Sequence, residues 1–184
     1  MEKKLLTALH QAAQFLKREK IPFVVIGGLA NSVIGEPRST RDVDLKVYLE
    51  GRTGQEFAAL VVKELAPAEL LPAGSPLIVS VITSPNVIID FLIAIPGYED
   101  EVLVRAPIVR IGNLQVPVCT PEDFIIYKVV ADRPKDWGDI EGVVNGHRAK
   151  LDQVYIHYWL EQFAEILERP DWIVRYDDLV SQFV

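Results

Sequence analysis

The sequence predicts an α+β fold, a mixed sheet followed by a C-terminal helical region, on three observations. Strand-like runs are confined to the chain before residue 120, two connections between them have hairpin chemistry, and everything after Thr120 has helical periodicity. With 184 residues, 49% hydrophobic and 24% charged, the chain can bury a real core and still present a polar surface. That composition excludes a disordered chain, a collagen-like repeat and a disulfide-stapled miniprotein. The formal charge of −7 argues against a protein that coats nucleic acid, because such binding needs an excess of Lys and Arg over phosphate.

Taken in order, Leu5, Leu9, Ala12 and Leu16 recur at helical spacing and predict an amphipathic first helix with a solvated rim of lysines. Pro22 ends it, and Phe23-Val24-Val25-Ile26 reads as a short buried strand closed by Gly27-Gly28. Residues 29–34 suit a short helix, and 43–49 a second strand. Thr53-Gly54-Gln55-Glu56 has the form of a capping box, in which hydroxyl and carboxylate each satisfy an amide at the helix start. Pro67, Pro72, Gly74 and Pro76 make the next connection irregular. Runs at 77–82 and 87–95, joined by Thr83-Ser84-Pro85-Asn86, predict an antiparallel hairpin. Gly112-Asn113 predicts another. Thr120-Pro121-Glu122-Asp123 opens the helical part, with helices expected near 121–132, 134–145, 152–167 and 171–182. Cys119, among Val116, Pro117 and Val118, reads as a core residue, and a chain with one cysteine suits a reducing cytoplasm. The polar residues within 77–95 argue against a membrane helix, and the N-terminus lacks the pattern of a signal peptide.

The chemistry concentrates between Gly27 and Asp90. Asp42-Val43-Asp44 at a strand start puts two carboxylates on one face while Val43 and Leu45 point to the other. Like charges that close repel unless water or a cation intervenes, and hard divalent cations such as Mg²⁺ or Mn²⁺ prefer carboxylate oxygens. Alone, the pair is a weak signal, which a solvated edge strand explains more often than a metal site. Asp90, inside the apolar run Val87-Ile88-Ile89-Asp90-Phe91, is costly without a partner; it either completes an acidic cluster or accepts backbone or arginine hydrogen bonds. Gly27-Gly28 before a short helix offers backbone amides to a phosphate, and Arg38 and Arg41 lie just before the carboxylate pair. The histidines His10, His147 and His157 match no zinc or catalytic spacing, and Ser32, Ser39 and Ser75 lack a nucleophile-elbow motif. Trp137, Trp159 and Trp172 read as helix-packing aromatics.

The run Ile26-Gly27-Gly28-Leu29-Ala30, then Arg38-Ser39-Thr40-Arg41-Asp42-Val43-Asp44-Leu45 and later Asp90, resembles the DNA polymerase β-like nucleotidyltransferase superfamily. It looks most like small stand-alone prokaryotic nucleotidyltransferases, among them the abortive-infection-type toxins. Thr120-Pro121-Glu122-Asp123 with Lys128 and Arg133-Pro134-Lys135-Asp136-Trp137-Gly138-Asp139 resembles their downstream segment. The resemblance implies a nucleotidyltransferase core over 1–120, with a helical region over 121–184 packed on it. It also implies transfer of a nucleoside monophosphate from an NTP to a hydroxyl, with release of pyrophosphate. Asp42, Asp44 and Asp90 would be the catalytic residues and hold Mg²⁺ or Mn²⁺. Gly27, Gly28, Arg38, Arg41 and Lys128 would bind the nucleotide. By this reading Lys128 reaches phosphate or is an ordinary exposed lysine, and Lys135, Asp136 and Asp139 form surface ion pairs or act in catalysis. The acceptor stays open: a tRNA end, a protein hydroxyl or a small molecule, with an antitoxin-type protein as a further partner and the cytoplasm as location. The alternative from another class is a nucleotide-binding module of the same fold without turnover.

Overall fold

The structure, a computed structural model, describes residues 3–36, 39–72, 74–83 and 86–183. The chain divides into two compact units, one built from 1–29 and 38–119, the other from 30–37 and 120–184.

The first unit is built on a five-stranded mixed sheet. Its elements are α1 (Lys3–Arg18), β1 (Phe23–Val25), the first turn of α2 (Gly27–Ile34), β2 (Asp42–Val47), α3 (Gly54–Glu64), β3 (Ala68–Leu70), β4 (Ile78–Thr83), β5 (Val87–Ile93), α4 (Tyr98–Arg105), β6 (Ile108–Ile111) and β7 (Leu114–Pro117). The sheet order is β1-β2-β5-β4-β3, and β6 and β7 form a separate hairpin. Only β2 and β5 run parallel; the other neighbours are antiparallel, including the expected β4–β5 hairpin. Alternation along β2 buries Val43 and Leu45 and leaves Asp42 and Asp44 on the opposite face. The apolar face of the sheet is covered by α1 and α3, where Phe15, Phe57 and Phe91 meet with ring centroids 5.4 to 6.4 Å apart. Burying each such ring contributes about 1.5 to 3 kcal/mol. The capping box of α3 forms as the sequence predicts: the Glu56 amide donates to Thr53 Oγ1 at 3.2 Å and the Thr53 amide donates to Glu56 Oε2 at 2.8 Å. Cys119 is fully buried, and its amide donates to the Val25 carbonyl at 3.1 Å, which ties the end of the unit to β1.

Two elements, β3 and α4, fall where the sequence predicted none. β3 is three residues long between prolines, and its only definition is its pairing with β4. Helix α4 is short, and its buried Tyr98 and Glu99 serve the sheet. The Tyr48 hydroxyl donates to the Glu99 carbonyl, and the Glu99 carboxylate pairs with the buried Lys46 and accepts from the Ile95 amide at 2.5 Å.

The second unit is helical: α5 (Pro121–Ala131), α6 (Pro134–His147), a short 3-10 turn, α7 (Gln153–Ile166) and α8 (Asp171–Ser181), together with the later turns of α2. All four predicted helices are present within a few residues of their expected bounds. Thr120 caps α5 by accepting from the Asp123 amide at 3.1 Å, and Asp152 caps α7 by accepting from the Tyr155 amide at 3.0 Å. Trp137 and Trp172 are buried packing residues, while Trp159 is half-buried. Among the described residues, no helix is long and apolar enough to cross a membrane.

His157 on α7 gives this unit a pH response. Its Nδ1 lies 2.7 Å from the Gln153 carbonyl and its Nε2 2.7 Å from Asp177 Oδ1. Both partners are acceptors, so the two contacts are satisfied together only by the imidazolium form, in which both ring nitrogens donate. Burial opposes the charge, but the Asp177 hydrogen bond, the Gln153 carbonyl and the charges of Asp177 and Glu161 outweigh it and raise the pKa above 6.5. A raised folded pKa stabilises fully below 6.5, and that contribution is lost as pH rises through the higher folded value. Asp177→Asn should therefore lower Tm at pH 6 more than at pH 9, as thermal unfolding at the two pH values will show.

Candidate active site

β2 and β5 bring three carboxylates together. Their parallel register sets Asp44 directly beside Asp90, with Asp42 one turn of the pleat away on the same face. One carboxylate oxygen from each of Asp42, Asp44 and Asp90 lies within 4.8 Å of the others. Because β2 is flanked by β1 and β5, the edge-strand explanation of the Asp42–Asp44 pair does not hold. Among the described residues, the hydrogen bond to Asp90 comes from neither an arginine nor the backbone: Ser80 Oγ donates to its Oδ1 at 2.5 Å from the paired position on β4. Thr40 Oγ1 likewise donates to Asp42 Oδ1 at 3.0 Å. Sequence reading missed both hydroxyls. Thr40 could have been found as the hydroxyl two residues before Asp42, whereas Ser80 becomes visible only through the β4–β5 register.

The two glycines are required by close approach. Gly27 opens α2 with φ +63°, and a Cβ there would lie 1.9 Å from Asp44 Oδ2. A Cβ on Gly28 would lie 2.3 Å from Thr40 Oγ1. No side chain fits at either place, so the α2 N-terminus sits directly against the acidic residues and the loop before them. This leaves backbone amides of a helix start next to a carboxylate cluster, an arrangement suited to an anion together with the cation that bridges it. Arg41 is exposed beside Asp42. Arg38, the other predicted phosphate ligand, lies outside the described residues.

Lys128 is not the ordinary exposed lysine that the sequence allowed. It is buried in the second unit, with Nζ 2.6 Å from Asp136 Oδ1 and 2.8 Å from Asp139 Oδ2. Asp136 and Asp139 are themselves buried, so the expected surface ion pairs are corrected to an internal network; Arg133 Nε joins it at 2.6 Å from Asp136. Burial would raise the Asp136 pKa, but hydrogen bonds from Arg133 and Lys128 and their charges hold it below its ordinary value. Asn31 on α2 donates to the Glu36 carbonyl at 3.0 Å and lies 3.4 Å from Asp139.

The strand order and the carboxylate placement define a DNA polymerase β-like nucleotidyltransferase fold. The chain matches the family described as nucleotidyl transferase of unknown function (DUF2204) over residues 5–170, and it belongs to that family. Solved structures share the fold at low identity. An antigenic nucleotidyltransferase-like protein from Paracoccidioides brasiliensis aligns at 18% identity and TM-score 0.62, over 96% of this chain and 93% of that one. The antibiotic-resistance factor ANT(2″)-Ia aligns at 18% and 0.58, over 96% and 95% of the two chains. A lincomycin-bound lincosamide antibiotic adenylyltransferase aligns at 13% and 0.54, over 78% and 96%. No curated protein sequence matches.

Proposed function

We propose that the chain transfers a nucleoside monophosphate from an NTP to a hydroxyl acceptor and releases pyrophosphate. The observation that supports this best is the Asp44–Asp90 register, with Asp42 on the same face and the α2 N-terminus packed against Asp44. In this reading Asp42, Asp44 and Asp90 hold a divalent cation, for which their hard oxygen donors are suited. Magnesium or manganese bound there would offset the carboxylate repulsion and stabilise charge on the phosphoryl oxygens. Gly27, Gly28 and Arg41 border the triphosphate, and Arg38 is proposed to join them. Asp90 takes the proton of the attacking hydroxyl, whose oxygen forms the new P–O bond as the bond to pyrophosphate breaks. Lys128 is left out of the nucleotide set because its ammonium is committed to Asp136 and Asp139. The reading is supported by the likeness to ANT(2″)-Ia, whose structure was solved in complex with adenylyl-2″-tobramycin. A cytoplasmic location, with its supply of NTPs and Mg²⁺, fits the same reading.

Incubation with each labelled NTP, Mg²⁺ or Mn²⁺ and a cell lysate or total tRNA should give label transfer that disappears in Asp42→Ala and Asp44→Ala. Transfer retained in both variants overturns the assignment. Nucleotide binding without transfer by the native chain would point instead to a non-catalytic binding module.

Ser80 and Thr40 hold one oxygen of Asp90 and Asp42, leaving the other oxygen of each for the cation. Ser80→Ala should raise the Mg²⁺ concentration for half-maximal activity several-fold and lower kcat about 10-fold, roughly 1.4 kcal/mol, while Ser80→Thr restores both. A Mg²⁺ titration of steady-state rates will check this.

A further inference from the structure

We infer that the hydroxyl acceptor is an uncharged small molecule with an apolar face, seated on the open sheet face beyond Asp90, rather than a nucleic-acid end. This deepens the nucleotidyl-transfer reading and rests on it.

Strand register arranges the open face of the sheet in rows. Asp42, Ile88, Ile82 and Glu69 form one row across β2, β5, β4 and β3; Asp44, Asp90 and Ser80 form the next; Lys46, Leu92 and Ile78 form a third. The Asp90–Ser80 pair therefore has an aliphatic pair on either side. These aliphatics are not core residues. Ile88 is 37% exposed and Ile82, Leu92 and Ile78 are half-buried, whereas Val81, Ile89 and Phe91 on the opposite face are fully buried. Single exposed apolar residues are ordinary on a protein surface. Here four of them adjoin a carboxylate proposed to take the acceptor proton.

Direction follows from the in-line requirement, which puts the attacking oxygen opposite the leaving pyrophosphate. The features fit for phosphate, Gly27, Gly28, Thr40 and Arg41, lie at α2 and on the approach to β2. The acceptor then enters from the β5–β4 side, over Ile88 and Ile82. Among the described residues, β4 and β5 contribute no cationic side chain to that side. Between Lys63 and Arg105 the sequence contains no Lys, Arg or His, and the open-face rows of β3 and β5 carry Glu69 and Asp90. An RNA end arriving there would place phosphates over acidic and aliphatic side chains, against the usual basis of nucleic-acid binding. A neutral ring meets no such penalty and gains by covering the isoleucines.

The test uses four probes on the full chain with Mg²⁺ and labelled NTPs: phenyl β-glucoside, glucose, glucose 6-phosphate and total tRNA. The first three share their sugar and differ in an apolar ring or a charge. Binding is read by saturation-transfer NMR and transfer by label. Phenyl glucoside should bind or accept label about 10-fold better than glucose, with glucose 6-phosphate and tRNA below both. Ile82→Gln should remove the preference for the phenyl compound without changing the KM for NTP, and Ile82→Leu should preserve it, which controls for misfolding. Equal binding of glucose and its phenyl derivative, label on tRNA, or no binding by any probe overturns the inference. A Mn²⁺ titration of the same sample, read by electron paramagnetic resonance against Asp42→Ala, shows separately whether the nucleotidyl-transfer reading fails with it.

Discussion

Asp44→Asn is expected to lower kcat/KM for nucleotide transfer by at least about 1,000-fold, roughly 4 kcal/mol, while leaving the fold intact. Asp44 is the middle carboxylate of the cluster: it pairs in register with Asp90, and the Gly27 backbone packs against it. Asparagine keeps its size and much of its hydrogen bonding and removes only the charge. Without that charge the proposed cation would bind less tightly, and the stabilisation it would give to charge on the phosphoryl oxygens would be lost. Removing one of three mutually repelling carboxylates also relieves strain in the apo protein, so Tm should hold or rise. Steady-state kinetics over a Mg²⁺ range and thermal unfolding measure the two effects. Activity within 10-fold of the native chain would remove Asp44 from the mechanism.

Lys128→Met is expected to destabilise the protein by about 3 to 5 kcal/mol. Lys128 and its two carboxylate partners are buried, so the variant leaves Asp136 and Asp139 desolvated with their shared cation gone. Asp136 retains Arg133, while Asp139 loses its 2.8 Å contact to the ammonium and keeps the longer one to Asn31 at 3.4 Å. The double variant Lys128→Met, Asp139→Asn should therefore recover part of the loss, which a double-mutant cycle of denaturant unfolding will report. The pH dependence follows from the lowered Asp136 pKa. Its stabilisation is present above 3.8 and is lost as pH falls through the lower folded value. The gap between native chain and variant should accordingly narrow as the pH falls below 3.8.

Much of the site was legible before any coordinates, because its chemistry is written in short local patterns. Asp42-Val43-Asp44 puts its carboxylates on one face by alternation, and Gly27-Gly28 marks a place where backbone must approach closely. Asp90 stood out because an ionisable group in an apolar strand needs a partner. The helices after Thr120 were legible for a similar reason: the cap at Thr120 and apolar spacing are properties of consecutive residues. What failed was long-range. Lys128, Asp136 and Asp139 look like ordinary surface charges in sequence, and only the packing of α5 against α6 makes them a buried network. β3 exists only because β4 lies beside it.

The sequence by itself determined which residue types the site contains, the order of most elements and the alternation that separates acidic from apolar faces. These depend on interactions within a few residues, where period and capping suffice. The tertiary structure alone decided that β2 is interior and parallel to β5, that Asp44 stands beside Asp90, and that Ser80 holds Asp90. It alone placed the isoleucines of β4 and β5 next to that carboxylate. Strand register is a choice among pairings of distant segments, made by burying one whole face of the sheet at once, and no single segment contains it.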